Sequence, residues 1–124
     1  MHIKRMEALL NKYKALTQEC RLRIVRLLLA ADSPLCICEL MDILDAPQYQ
    51  ISRCLSVLKD AGLVEEERDG RLLLHSLNHR DPENRAIFES VESAKNSPVL
   101  KADLAKLKKR ISMRENGKVV VTYT

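Results

Sequence analysis

Residues 46–62 read APQYQISRCLSVLKDAG. The stretch opens on a turn residue and a proline and closes on a glycine, which is how a helix with defined ends is punctuated. Between them Ile51, Leu55 and Leu58 recur at i, i+4 and i+7, one buried stripe of an amphipathic helix. The other face carries Gln48, Tyr49, Ser52, Arg53, Ser56 and Lys59, side chains able to reach base edges and phosphates. This pattern predicts the recognition helix of a winged helix-turn-helix.

Upstream, Cys36–Leu44 is predicted as a short helix with Ile37, Leu40, Met41 and Leu44 inward. Asp45-Ala46-Pro47 is a tight turn, with Pro47 suited to the first helical position. Two helices joined by so short a turn form a helix-turn-helix unit. Before it, Met6–Leu16 is predicted as a helix with Leu9, Leu10, Tyr13 and Leu16 as its apolar side. Thr17 can cap a second helix over Glu19–Ala31. There Leu22, Val25, Leu28 and Leu29 face the core and Arg21, Arg23 and Arg26 reach solvent, and Asp32-Ser33-Pro34 ends it.

Downstream, Leu63–Arg68 and Arg71–Leu77 are strand-like runs separated by Asp69-Gly70, a hairpin signal. A hairpin directly after a recognition helix is a wing. Its tip carries Arg68 and Arg71, sited for phosphate or the minor groove. Asp81-Pro82 opens a helix with Ile87, Phe88, Val91 and Ala94 on one face. Ser97-Pro98 opens a last one, with Leu100, Leu104, Leu107 and Ile111 opposite Lys101, Lys106, Lys108, Lys109 and Arg110. The terminal GKVVVTYT is an edge strand or a frayed tail.

The expected fold is mainly α with a small β-hairpin: a winged helix-turn-helix dimerising through its terminal helices. Residues 1–16 form an N-terminal dimerisation helix, 17–78 the DNA-binding domain, 79–113 C-terminal dimerisation helices and 114–124 a tail. The first and last helices each show one apolar stripe, and a small winged domain has little core left to cover both. Pairing them across a two-fold axis buries them and sets two recognition helices about one DNA turn apart, which predicts a homodimer.

With 124 residues the chain makes one domain with a core able to fold unaided. A net charge of +4 and a pI near 9.0 permit an anionic partner without demanding one. The longest apolar run, roughly Leu27–Ala31, is far short of the ~20 residues that span a bilayer. The N-terminus has no apolar signal-peptide core. A cytoplasmic protein with no membrane partner follows, and its four cysteines (20, 36, 38 and 54) are expected as thiols. There is no Ser-His-Asp grouping, glycine-rich phosphate loop or HExxH motif, so no enzyme and no organic cofactor are expected. His2, His75 and His79 lack zinc spacing, and His75 reads as a surface residue or phosphate contact.

Three segments carry a family resemblance: LTQECRLRIVRLLL (16–29), LCICELMDIL (35–44) and ISRCLSVLKDAGLVEEERDGRLLLHSL (51–77). Together they resemble the ArsR/SmtB family of metal-responsive winged-helix repressors, in order over roughly Leu9–Leu77. The CxC of Cys36 and Cys38 is similar to that of the arsenite-, antimonite- and cadmium/lead-sensing branches, the arsenite branch above all. The resemblance implies a dimeric repressor that sits on double-stranded operator DNA until an inducer binds Cys36 and Cys38. Arsenite or antimonite is the implied inducer, with cadmium or lead as further candidates. The family's DNA contacts map onto Gln48, Tyr49, Gln50, Ser52 and Arg53, with Arg68 and Arg71 behind. The arsenite branch often reads CxCxxC; here the third position is Met41, whose thioether is a poor arsenite ligand.

The chemistry of the pair can be read from its position. Arsenite and soft divalent ions prefer thiolates. Side chains at i and i+2 point to nearly opposite sides of a regular helix, so two sulfurs converge only where the backbone is extended. Cys36 lies at a helix start, where convergence is feasible and unpaired N–H groups favour thiolate. Clamping the pair distorts the supporting helix and shifts the recognition helix, provided that the ion binds the DNA-free form better. The third ligand is Cys54, Cys20 or none, the last being a two-thiolate site completed by water or a small thiol. Two other readings stand beside this one: a thiol redox-sensing repressor, and a winged-helix interaction module without metal response.

Overall fold

Asp45 stands in the left-handed region (φ 50°, ψ 52°) and ends the helix Ile37–Leu44 (α3). Aspartate tolerates that conformation better than most residues. The N–H groups of Asp45 and Ala46 both return to the Met41 carbonyl, which closes the turn. Pro47 follows as N-cap, in extended conformation, of the helix Gln48–Asp60 (α4). It precedes the first helical residue rather than being it. After α4, Gly62 (φ 82°) reverses the chain.

The computed structural model describes residues 2–94 and 97–122. Its elements in order are α1 (His2–Ala15), α2 (Glu19–Ala31), β1 (Leu35–Cys36), α3, α4, β2 (Val64–Asp69), β3 (Leu72–Leu77), α5 (Pro82–Glu92) and α6 (Pro98–Ile111). The fold is a winged helix-turn-helix. The wing is larger than a hairpin: β1 adds to β3, giving a three-stranded antiparallel sheet in the order β1-β3-β2. Leu35 pairs with His75 and Cys36 with Leu74. Asp69 pairs with Leu72, so the two-residue turn is Gly70-Arg71, with Gly70 at positive φ in its first position.

The core lies between α2, α3, α4 and the base of the wing. Ile24, Val25, Leu27, Leu35, Leu40, Ile51, Leu58 and Leu63 have no exposed surface. Ile87, Phe88 and Val91 of α5 close it from the far side, as their spacing predicts. Ala94 is exposed beyond the end of α5 and does not share that face. Gln18, not Thr17, caps α2, its side chain accepting the Arg21 N–H at 3.0 Å. In α2 the most buried positions are Ile24 to Leu28, while Leu22 and Leu29 are half-buried. Past α6 the chain makes one bridge, Glu115 with Lys118, and no further strand up to residue 122. None of the described helices is long and apolar enough to cross a membrane.

The arginines expected in solvent are used internally. Arg21 Nε donates to the Ala15 carbonyl at 2.7 Å and so caps α1. Arg26 is buried, and Arg110 of α6 is 2% exposed. Arg23 forks onto Asp103 of α6, Nε and Nη2 each donating at 2.8 Å. Lys12 of α1 is buried between Asp81 and Glu83 at the start of α5, 2.8 Å from each. These pairs fix the terminal helices on the winged core. The four lysines of α6 are exposed, as expected.

The Asp103 side chain is 3% exposed and that of Arg23 24%. Replacing Arg23 by methionine therefore leaves a buried carboxylate without its cation, at a cost of about 3–5 kcal/mol. In urea denaturation R23M is expected to lose that much, and the double variant R23M/D103L to recover most of it.

Candidate nucleic-acid interface and cysteine pair

The outer face of α4 presents the expected side chains. Gln48, Tyr49 and Arg53 are exposed, Tyr49 at 70%, and Gln50 and Ser52 are half-buried at the helix flank. Ile51, Cys54, Leu55 and Leu58 face inward and set this orientation. Arg68 and Arg71 are exposed at the end of the wing. All seven residues thus lie on the recognition helix or at the wing tip. Between them runs a cleft lined by Ser52, Ser56 and Lys59 of α4 and by Glu66, Leu73 and His75 of the wing. Lys59 pairs with Glu66, and this holds the Glu66 carboxyl below its usual range. Arg80 pairs with Glu65 on the same strand.

His75 is not at the surface. It is 3% exposed, on the middle strand of the sheet, with Nε2 3.4 Å from Glu66 Oε2. Reading it as a surface residue fails because β1 covers β3, turning an edge into a centre. Burial pushes its pKa below the ordinary histidine value, and Glu66 opposes that only in part.

Cys36 is the N-cap of α3, with extended backbone (φ −88°, ψ 163°). Its side chain therefore does not follow the helical rotation, and it meets that of Cys38. The two are joined as a disulfide with Cα atoms 5.4 Å apart, inside the range such bonds need. The expectation of four thiols is corrected at this pair. Cys20 and Cys54 are free and buried. The Cys54 thiol is pushed up to about 12, by burial first and then by the neighbouring Cys20 thiol. Its Sγ lies 4.0 Å from Gln18 Oε1. Cys54 thus meets the start of α2. No group of three or more His, Cys, Asp or Glu side chains placed to hold a metal occurs among the described residues. Met41 is half-buried against the core, as a filler.

Comparison with known proteins finds relatives of the helix-turn-helix segment. Residues 18–66 match the family described as "Bacterial regulatory protein, arsR family". The helix-turn-helix segment of this chain is thus similar to that of the arsR family. The arsenic resistance transcriptional regulator ArsR1 of Pseudomonas putida is 35% identical over 71 residues, 57% of this chain and 55% of that protein. The arsenical resistance operon repressor of Escherichia coli K12 is 39% identical over 70 residues, 56% and 59% of the two. The cadmium resistance regulatory protein CadC of Listeria innocua is 36% identical over 67 residues, 54% and 56%. The chain spans a little over half the length of these curated relatives. Among solved structures, reduced HlyU from Vibrio cholerae superposes with a TM-score of 0.63 at 25% identity, over 77% of this chain and 97% of that one. The ArsR family is one of regulatory proteins, in line with the missing enzyme motifs.

Two residues near the cysteine pair escaped the sequence reading. Glu39 is fully buried and accepts the Cys36 N–H at 3.1 Å. Its place at the third position of α3 is that of the acid in a capping box, a signal present in Cys36-x-x-Glu39. Arg114, which pairs with Glu39, has no local signal, because its partner is 75 positions away.

The depressed His75 pKa has a thermodynamic consequence. In the unfolded chain His75 takes up a proton near pH 6.5, and in the folded chain only below that. The unfolded state then binds more protons, so folding stability falls as pH drops from about 6.5, by at most ~1.4 kcal/mol per pH unit. His75→Gln is expected to flatten this slope between pH 6.5 and 5, read from urea denaturation at each pH.

Proposed function

We propose that this protein is a cytoplasmic, homodimeric transcriptional repressor that releases its operator when a thiophilic ion binds Cys36 and Cys38. Gln48, Tyr49, Gln50, Ser52 and Arg53 contact the major groove, and Arg68 and Arg71 the flanking backbone or minor groove. The observation that carries the inducer reading is the extended backbone at Cys36, which lets two sulfurs of a CxC converge ahead of α3. The names of relatives as arsenical and cadmium resistance regulators support the choice of arsenite, antimonite, cadmium or lead. With Cys54 turned to Cys20, the pair supplies two thiolates, and water or a small thiol completes the coordination.

Dimerisation is supported by the apolar surface of the terminal helices. Met6, Leu10 and Tyr13 of α1 are 49–55% exposed. On the α2–α6 face, Ala30, Leu104, Leu107 and Ile111 line an open apolar groove. Residues 1–16 and 79–113 act as the dimerisation segments, with 17–78 between them reading DNA and 114–124 as a tail.

A second reading is favoured by one observation. The Cys36–Cys38 bond is itself an oxidised state, so the same pair can serve a thiol redox sensor. The two readings separate in one assay on operator DNA by fluorescence anisotropy. For the ion-responsive repressor, arsenite releases DNA under reducing conditions, and Cys36→Ser or Cys38→Ser binds DNA as tightly as wild type but is not released. Release by peroxide, reversed by dithiothreitol, with arsenite inert, would establish the redox reading instead.

Arg53→Ala tests the DNA face. It is expected to weaken operator binding by ~1–3 kcal/mol if the guanidinium reads a base. An unchanged Kd in that titration would remove Arg53 from the interface.

A further inference from the structure

Arg114 follows the end of α6 and reaches back to α3. Its Nε donates to Glu39 Oε2 at 2.8 Å and its Nη2 to Glu39 Oε1 at 2.7 Å, a two-pronged pair. Nη2 also donates to the Pro34 carbonyl at 2.8 Å, and Nη1 to Ser33 Oγ at 3.1 Å. The Glu39 side chain has no exposed surface and that of Arg114 is 8% exposed. One turn earlier, Arg110 Nε lies 3.2 Å from Asp42 Oδ2. Two arginines at the end of α6 therefore face two acids of α3.

The position of this pair matters more than its strength. One guanidinium holds the chain just before β1 and the first turn of α3. Between those anchors lie Leu35 to Cys38, with both cysteines. The Glu39 Oε1 that accepts from Arg114 also accepts the Cys36 N–H at 3.1 Å. A change at the sulfurs that moves the Cys36 backbone pulls on this oxygen. A buried carboxylate cannot exchange its cation for water at low cost, so Arg114 follows. Lysine would supply the charge but not the fork that bonds both oxygens and the Pro34 carbonyl.

We propose that Arg114 is a positioning residue that transmits the state of Cys36 and Cys38 to the end of α6. This rests on the inducer reading above, and it adds a path from the cysteine pair to the terminal helix besides the one through α4. It also gives the residues past α6 a role: they close over the start of α3.

The test compares full-length wild type with E39Q/R114Q, which removes both charges together, and with R114K. Operator Kd is measured with and without arsenite, and arsenite binding to DNA-free protein is followed by its sulfur charge-transfer absorption. The double variant is expected to bind arsenite within a few-fold of wild type, while the inducer's effect on operator Kd falls at least tenfold. R114K should fall between. An effect on Kd equal to wild type in both variants overturns the proposal. So does loss of arsenite binding itself, which would make Arg114 part of the ion's own site. If wild type releases no DNA with any of the named ions, it is the inducer reading that has failed. Transmission is then judged by hydrogen exchange after reducing the Cys36–Cys38 bond with a phosphine and alkylating the two freed thiols with iodoacetamide. Alkylation should speed exchange at Ser112 and Arg114, whose N–H groups bond the Lys108 and Ile111 carbonyls, in wild type but not in E39Q/R114Q. Equal acceleration, or none, in both proteins overturns transmission.

Discussion

A carboxylate with no exposed surface must be met by a cation, and Glu39 is met by Arg114. Much of the arrangement outside the apolar core follows the same rule. Asp103 is met by Arg23, and Lys12, buried in its turn, is met by Asp81 and Glu83. Each pair joins elements far apart in sequence: α6 to α2, α1 to α5, and the segment past α6 to α3. Apolar packing is non-directional and would let a short terminal helix settle in several positions. A forked ion pair between buried groups admits far fewer. These contacts therefore set where the terminal helices lie, and with them the apolar faces that the proposed dimer would use.

The cysteines divide along similar lines. Cys36 and Cys38 sit at a junction where a two-residue strand becomes a helix, and backbone geometry brings their sulfurs together. Cys20 and Cys54 meet through tertiary packing of α2 against α4, in surroundings that hold Cys54 strongly in its protonated form. A thiol so held is a poor nucleophile and a reluctant ligand. The chemistry proposed for this protein accordingly belongs to the first pair, and the second is small apolar filling between α4 and α2.

What could be read from the sequence was what local chemistry determines. The i, i+4, i+7 stripe of α4, the turn at Asp45-Ala46-Pro47 and the Asp-Gly before the wing turn each depend on neighbours within a few residues. So does the convergence of Cys36 and Cys38, which follows from the position of Cys36 ahead of a helix. What could not be read depends on distant partners. Arg23, Arg26 and Arg110 look like solvent residues by helical register, yet they are buried or paired with groups elsewhere in the chain. The strand Leu35–Cys36 is too short to announce itself, and without it His75 looks like an edge residue. The register of Cys54 places it inward correctly but does not say that it meets Cys20.

The acidic strand of the wing bears on how such a protein would meet a polyanion. Glu65 and Glu66 lie on β2, close to the proposed DNA face, and each already holds a cation, Arg80 and Lys59 respectively. Those two basic residues carry their counterions with them, as carboxylates of the same chain. In the proposed complex they would displace few of the ions condensed on DNA, whereas Arg53, Arg68 and Arg71 would displace their full share. In that complex the electrostatic pull on the duplex would thus come from one face of α4 and from the arginines of the wing tip. Those two pairs are each neutral, so in the proposed complex position rather than total charge would govern how the domain seats itself in the groove.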